Sequence, residues 1–235
     1  MDGITDLANT AQPSIKSRGL RFPKAAFMTP AMRTALRKDT YENTLVTACN
    51  RTALPEDTVL DIGAGIGAVS ATLAKQQNVK MVHAVEANPE LATYLTNMFA
   101  LNGIENASVI SGALGKRKST VDFHLRKNPA LSSLVARDDS PAGTVEKIEV
   151  QNAKTLMKEL SPTVVVIDIQ GSEADLIPDL DLSGLRAAVV KLHPKWIGPE
   201  GVNAVFAAMM EAGLNYNARG SNGKVVSFRR TWPTA

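Results

Sequence analysis

Residues 61–67, Asp-Ile-Gly-Ala-Gly-Ile-Gly, together with Glu86, offer the first chemistry in this chain. Gly63, Gly65 and Gly67 close an apolar run, where glycine lets the chain turn sharply and lets backbone approach a ligand without a Cβ in the way. The stretch also fits the looser Gly-x-Gly-x-x-Ala pattern through Ala68. A tight turn with no ligand would use the same glycines, so the neighbours decide. Glu86 ends the next apolar run, where a carboxylate can accept hydrogens from both ribose hydroxyls of a nucleotide. Asp61 precedes the first glycine. An acid there repels a pyrophosphate, which wants bare backbone N–H groups. It suits the sulfonium and ammonium groups of S-adenosylmethionine. The expected cofactor is therefore S-adenosylmethionine rather than NAD.

Methyl transfer needs an acceptor atom held about 3 Å from the methyl carbon and, for an oxygen acceptor, a base to take its proton. Such groups come from strand tips. Asp168 follows the apolar run 163–167 and His193 follows 187–192. Imidazole titrates near neutrality, so His193 is the expected base and Asp168 the expected acid beside it. A histidine that only satisfies its own hydrogen bonds before Pro194 is the competing reading. Ser172 and Asp175 have the spacing of a helix N-cap and its third residue. Lys191 is expected to be solvated. Cys49, the sole cysteine, reads as a small buried residue, and it excludes an internal disulfide.

These residues need a frame. The 235 residues are 44% hydrophobic and carry a formal charge of +3, enough apolar content for one α/β domain and no strong demand for an anionic partner. Residues 1–25 read as an irregular polar arm without the apolar stretch of a secretory signal. Thr29 and Pro30 open a helix, and Asp39 with Glu42 has the spacing of a capping box for a second. From 58 onward the pattern alternates. Strands are predicted at 58–63, 80–87, 106–115, 119–125, 145–151, 163–169 and 185–194. Helices are predicted at 67–76, 89–103 and 199–213, and a hairpin ends the chain. The expected fold is α/β, a doubly wound and mostly parallel sheet with an antiparallel terminal hairpin and an N-terminal helical prefix. The expected division is an arm and helical prefix over 1–55 and a catalytic domain over 56–235. The long segment 126–144 reads as a lid or a mobile excursion.

The segments "VLDIGAGIG", "AVEANPE", "SGALG" and "VVVIDIQGSEADLI", in this order, resemble class I methyltransferases and specifically the FkbM type. The resemblance spans about residues 20–230. It implies a seven-stranded sheet in the order 3-2-1-4-5-7-6 with the ligand at the strand C-terminal ends. It implies Asp61, Gly63, Gly65 and Gly67 around the methionine part, Glu86 on the ribose, Gly112 and Ala113 against the adenine, Tyr41 closing over the methionine end, and Glu173 as a substrate-binding residue. Gln170 departs from the family's Asp-x-Glu-Gly-x-Glu pattern and keeps hydrogen bonding without charge.

Amino-directed methyltransferases often carry [Asp/Asn]-Pro-Pro-[Tyr/Phe] after the fourth strand, whereas this chain reads Asp-Ile-Gln-Gly. The expected reaction is thus O-methylation of a small molecule or sugar. No metal site is expected, since Asp168, Asp138 and Asp139 have nothing to fix them as a cluster. Neither a membrane nor nucleic acid is expected as a partner, and the cytoplasm is the expected location. An RNA methyltransferase, suggested by basic stretches at 16–24, 116–118 and 126–127, is one alternative. An NAD-dependent oxidoreductase and a non-catalytic cofactor-binding protein are the others.

Overall fold

A computed structural model describes residues 13–75, 79–136 and 143–231. The chain opens with a hairpin, β1 (Ser14–Ser17) and β2 (Leu20–Pro23), followed by α1 (Pro30–Arg37) and α2 (Asn43–Thr52). Then come β3 (Thr58–Ile62), α3 (Ala68–Ala74), β4 (Met81–Glu86), α4 (Pro89–Leu101) and β5 (Ala107–Ser111). Next are β6 (Ala113–Gly115), β7 (Ser119–Leu125), β8 (Thr144–Asn152), α5 (Ala153–Leu160), β9 (Val164–Ile167) and α6 (Glu173–Leu176). The last elements are β10 (Ala187–Lys191), α7 (Pro194–Glu211), β11 (Asn215–Tyr216) and β12 (Val225–Arg229).

The main sheet has seven strands in the order β5-β4-β3-β9-β10-β12-β11. The five from β5 to β10 run parallel; β12 is antiparallel to β10, and β11 to β12. Strand alternation explains why "VVVI" is apolar throughout. Val164 and Val166 enter a core with α1–α4 and the N-terminal hairpin, and Val165 and Ile167 enter the opposite core with α5, α6 and α7. The order reverses between β3 and β9, which places a crevice at their C-terminal ends. Strands β6, β7 and β8 form a separate three-stranded sheet.

Several local expectations are corrected. Residues 14–23 are a hairpin rather than an irregular arm, because Ile15, Leu20 and Phe22 are buried in the core and Arg18 and Gly19 take the left-handed turn. Residues 1–12 lie outside the described residues. The capping box at Asp39 and Glu42 does not form. Asp39 accepts instead from Ser17 Oγ (2.9 Å) and from the Arg18 amide (2.8 Å), and α2 starts at Asn43. The predicted strand 106–115 breaks at Gly112, and its second half joins the small sheet. The helix predicted from 199 begins at Pro194 and kinks at Gly198. Ser172 occupies the N-cap position of α6 without a side-chain capping bond. Thr29 caps α1 as expected, accepting from the Met32 amide. Among the described residues no helix is long and apolar enough to cross a membrane.

The edge of the sheet opposite the crevice is fastened by buried Asp57. It accepts from Thr163 Oγ1 (2.7 Å), from the Leu54 amide (2.6 Å) and from the Arg186 guanidinium. One carboxylate therefore ties the starts of β3, β9 and β10. Breaking a buried pair from one side strands the other charge, which costs about 3 kcal/mol or more. Asp57→Ala should accordingly lower unfolding free energy in urea by about 3 kcal/mol, with Asp57→Asn losing less; a change under about 0.5 kcal/mol would contradict this role.

Candidate active site

A cavity of about 380 Å³ opens at the C-terminal ends of β3, β4 and β9, within the size range of small-ligand sites. Its floor is the turn after β3. Gly63, Gly65 and Gly67 have φ of +85°, +58° and +80°, a region that L side chains rarely adopt. A Cβ on Gly63 would stand 2.1 Å from the Asp168 carbonyl oxygen, and one on Gly67 would stand 2.5 Å from Leu95. Gly65 has nothing within 4 Å of such a Cβ. The first glycine is thus required by packing against backbone, a Cβ on the third would have to displace the Leu95 side chain, and the second leaves open space above the turn.

Glu86, at the tip of β4, reaches over this turn. Its Oε2 accepts from the Gly65 amide (2.7 Å) and its Oε1 from the Asn88 amide (2.8 Å). Asp61 on β3 accepts from Ser70 Oγ (2.5 Å). Both carboxylates are at least 95% buried. Burial pushes each up to about 7, against the pull of the hydrogen bonds they accept. Gly112 and Ala113 line the same cavity beside Leu114 and Phe123, and Tyr41 lines it from the N-terminal prefix. Burial pushes the Tyr41 hydroxyl well above its ordinary range, with Glu42 and Asp168 adding to the shift.

The composition of the wall is what distinguishes the ligand. Glu42, Asp61, Glu86, Asp168, Asp175 and Asp179 line the cavity, and among the described residues no Lys, Arg or His does. Such a wall repels a pyrophosphate and suits a cation carrying hydroxyl donors. The residues fit S-adenosylmethionine: a glycine cradle, a carboxylate placed for the ribose and a field that favours a sulfonium.

Asp168 lines the cavity at the tip of β9. Its Oδ2 accepts from Lys191 Nζ (2.9 Å), which also donates to Glu42 Oε2 (2.7 Å). Burial raises the Asp168 carboxyl above its ordinary range, although Lys191 pulls the other way. For Lys191, burial opposes the charge, but Asp168 and Glu42 outweigh it and raise the ammonium. Lys191 is therefore no solvated lysine. Strand alternation places it on the same face of the sheet as Val189, toward α2.

His193 and Glu173 do not line the cavity. His193 is buried behind Asp168, with Nε2 3.5 Å from Asp168 Oδ1 and Nδ1 2.6 Å from Glu173 Oε1. Glu173 is fully buried, so the expectation that it binds substrate directly is corrected; a helix start folded beneath α7 removes it from solvent. Likewise His193 does not present its ring to the cavity, where a direct base would have to stand.

Other wall residues carry no site signal in the sequence. Glu42 and Asp175 have the spacing of helix caps, and Asp179 falls in no pattern. The segment 129–135 covers the cavity with Pro129, Ser132, Ser133, Leu134 and Val135. Buried Arg126 holds it by donating to the carbonyls of Leu131 (3.0 Å) and Val135 (3.1 Å) and to Ser133 Oγ (3.1 Å). Asp138 and Asp139 lie outside the described residues. Tyr41 and Glu42 are positioned by Arg18 of the hairpin turn, which donates to the Tyr41 carbonyl (2.9 Å) and the Asp39 carbonyl (2.6 Å).

Parts of this chain are similar to known methyltransferases. The TRM5/TYW2 methyltransferase domain matches residues 42–123, about a third of the chain. A ribosomal RNA small subunit methyltransferase A from Prochlorococcus marinus is 26% identical over 157 residues, covering 62% of this chain and 54% of the relative. The chain thus spans about half the length of that curated relative. Among solved structures, Trm5b from Pyrococcus abyssi superposes with a TM-score of 0.51 at 13% identity, covering 91% of this chain and 54% of that one, a likeness of fold. The expectation that nucleic acid is not a partner is overturned here, because the curated relative is a methyltransferase of ribosomal RNA.

Two outcomes test the cavity. Gly65→Ala should fold with only the strain of a left-handed alanine, on the order of 1 kcal/mol, and should lose S-adenosylmethionine affinity at least tenfold by calorimetry. Gly63→Ala should lose the fold around β9 instead, seen as a lower Tm. The second outcome concerns pH. A ligand with a cation and hydroxyl donors binds the ionised forms of Asp61 and Glu86, both raised to about 7. Affinity should be full above about pH 8 and fall as pH drops through about 7, with protons released on binding near about pH 6.5. Calorimetry in two buffers of different ionisation enthalpy measures that release; proton uptake would contradict it. Residues 42–123 match a methyltransferase domain, and the glycine cradle and acidic wall fit S-adenosylmethionine as its cofactor.

Proposed function

We propose that this protein transfers the methyl group of S-adenosylmethionine to RNA. The observation that carries this reading is the likeness to the ribosomal RNA methyltransferase A relative, with the TRM5/TYW2 methyltransferase domain matching residues 42–123 alongside it. The cavity adds its acidic wall, which accommodates a cationic methyl donor and offers acceptors for base amino or sugar hydroxyl hydrogens. The finer resemblance to the FkbM type rests on "SGALG" and the Asp-x-x-Gly-x-Glu segment. The family profile that matches supports the wider methyltransferase class instead.

The charge pattern narrows where RNA would lie. Of the three basic stretches, the two that carry Arg18 and Arg126 commit those guanidiniums to the protein's own carbonyls. Lys116, Arg117 and Lys118 are all exposed and follow directly on Gly115, which lines the cavity. They form the proposed phosphate-binding stretch. Asp168 is proposed as the wall residue nearest the acceptor's proton, Asp61, Gly63, Gly65 and Gly67 as the methionine cradle, Glu86 as the ribose acceptor, and Tyr41, Gly112 and Ala113 as the remaining cofactor-binding residues. When bound, the cofactor supplies a methyl carbon activated by an adjacent sulfonium.

The test is methyl-tritiated S-adenosylmethionine with unmodified transcripts of small-subunit ribosomal RNA and of tRNA, followed by nuclease digestion and nucleoside mass spectrometry. Label is expected in one RNA nucleoside. RNA binding should weaken steeply with salt. Replacing Lys116, Arg117 and Lys118 with alanine should lower the salt slope by about one for each phosphate these side chains neutralise, while cofactor affinity stays unchanged. Label in small metabolites of a cell extract with none in either RNA would refute the reading.

A further inference from the structure

Resting on the methyl-transfer reading above, we propose that Asp168, His193 and Glu173 form a buried proton relay, in which the cavity carboxylate takes the acceptor's proton and the imidazole behind it holds that proton. Three observations carry this. Asp168 lines the cavity while His193 and Glu173 do not. His193 lies between the two carboxylates, 3.5 Å from Asp168 Oδ1 through Nε2 and 2.6 Å from Glu173 Oε1 through Nδ1. Glu173 is fully buried, and its Oε2 has no hydrogen-bond partner among the described residues.

A buried carboxylate with one orphan oxygen is costly. A helix-capping role would not explain it, since Oε1 already accepts from the Gly171 amide (2.9 Å) within the same turn. Its position against Nδ1 does give it a task. A carboxylate can only accept, so Nδ1 of His193 carries a hydrogen, and in the neutral ring Nε2 then holds a lone pair aimed at Asp168. Glu173 and His193 are positioning residues, and Asp168 is the catalytic one.

The proton balance is simple. As the acceptor atom X bonds to the methyl carbon, the carbon–sulfur bond breaks and its electron pair stays on sulfur. The hydrogen on X passes to Asp168 Oδ1 and from there to His193 Nε2, which restores the Asp168 carboxylate. The imidazolium so formed is held between two carboxylates. The groups facing Asp168 include Lys191, Glu42, His193, Asp61, Tyr41, Cys49 and the Gln170 amide (3.3 Å). Burial raises the Asp168 carboxyl and so favours its taking a proton, while Lys191 pulls the other way and favours its passing that proton on. Direct transfer from the acceptor to His193 is blocked, because the ring has no face on the cavity.

The chain has three histidines, so imidazole nitrogen spectra can be assigned. Long-range proton–nitrogen NMR of the full chain at about pH 8, above the ordinary imidazole range, should show His193 as the Nδ1–H tautomer with a strongly downfield proton. Glu173→Gln should move that proton upfield and mix the tautomers, whereas Asp168→Asn should leave Nδ1 protonated. Wild-type His193 protonated at Nε2 alone overturns the relay, whatever the acceptor proves to be. In the kinetic arm, with radiolabelled cofactor and the RNA that takes label, Glu173→Gln and His193→Gln should each lower kcat at least tenfold and change cofactor KM less than twofold. A tenfold rise in KM with kcat unchanged would instead mark a purely structural pair and overturn the proposal. If no RNA takes label, the spectra still decide the relay, so the two readings fail separately.

Discussion

The crowding of carboxylates at the C-terminal ends of β3, β4 and β9 is the constraint to which much of this molecule answers. Six acidic side chains line one cavity, and two of them are almost fully out of water. Like charges in a low-dielectric cleft raise one another's energy. The structure relieves this in three ways. Backbone and hydroxyl donors from the glycine turn and α3 serve Asp61 and Glu86. Lys191 reaches Asp168 and Glu42 together. The rest of the cost stays in the cavity as raised carboxyls, a field that a cationic ligand relieves.

The N-terminal prefix takes its meaning from the same cluster. Glu42 reaches the cavity because Lys191 holds it from β10 and because Arg18 pins the segment before α2 from below. The hairpin, the α2 start and the fifth parallel strand thereby converge on one spot. A division at residue 55 separates these elements along the chain, yet the cavity wall draws on both sides of it. The loop over the opposite side is built by a different logic, with one buried guanidinium satisfying the carbonyls of the segment it folds around.

Two kinds of acid must be kept apart in this site. Asp61 and Glu86 stand where a cofactor's charge and hydroxyls would be met. Asp168 stands at the switch point between β3 and β9, backed by His193 and Glu173. Gln170, with left-handed φ of +57°, donates to Asp168, so a glutamine here gives the cluster a donor without one more negative charge.

The layered sheet, the glycine cradle and the acids at the strand tips were legible in the chain before any folding was considered. Those features follow from local rules: apolar alternation over a few residues, turns that demand glycine, and the sign of charge that a sulfonium or a pyrophosphate would meet. The true partners of Asp39 and the bridging role of Lys191 were not legible, because the bonds that fix them join residues 21 to 149 positions apart, and the hairpin at 14–23 draws its burial from a core shared with distant helices. Nor do local rules tell that His193 and Glu173 lie behind the cavity wall rather than on it. Which side of a strand tip faces solvent is set by the helices packed over it, α6 and α7 here, and that choice exists only once both cores have closed around the sheet.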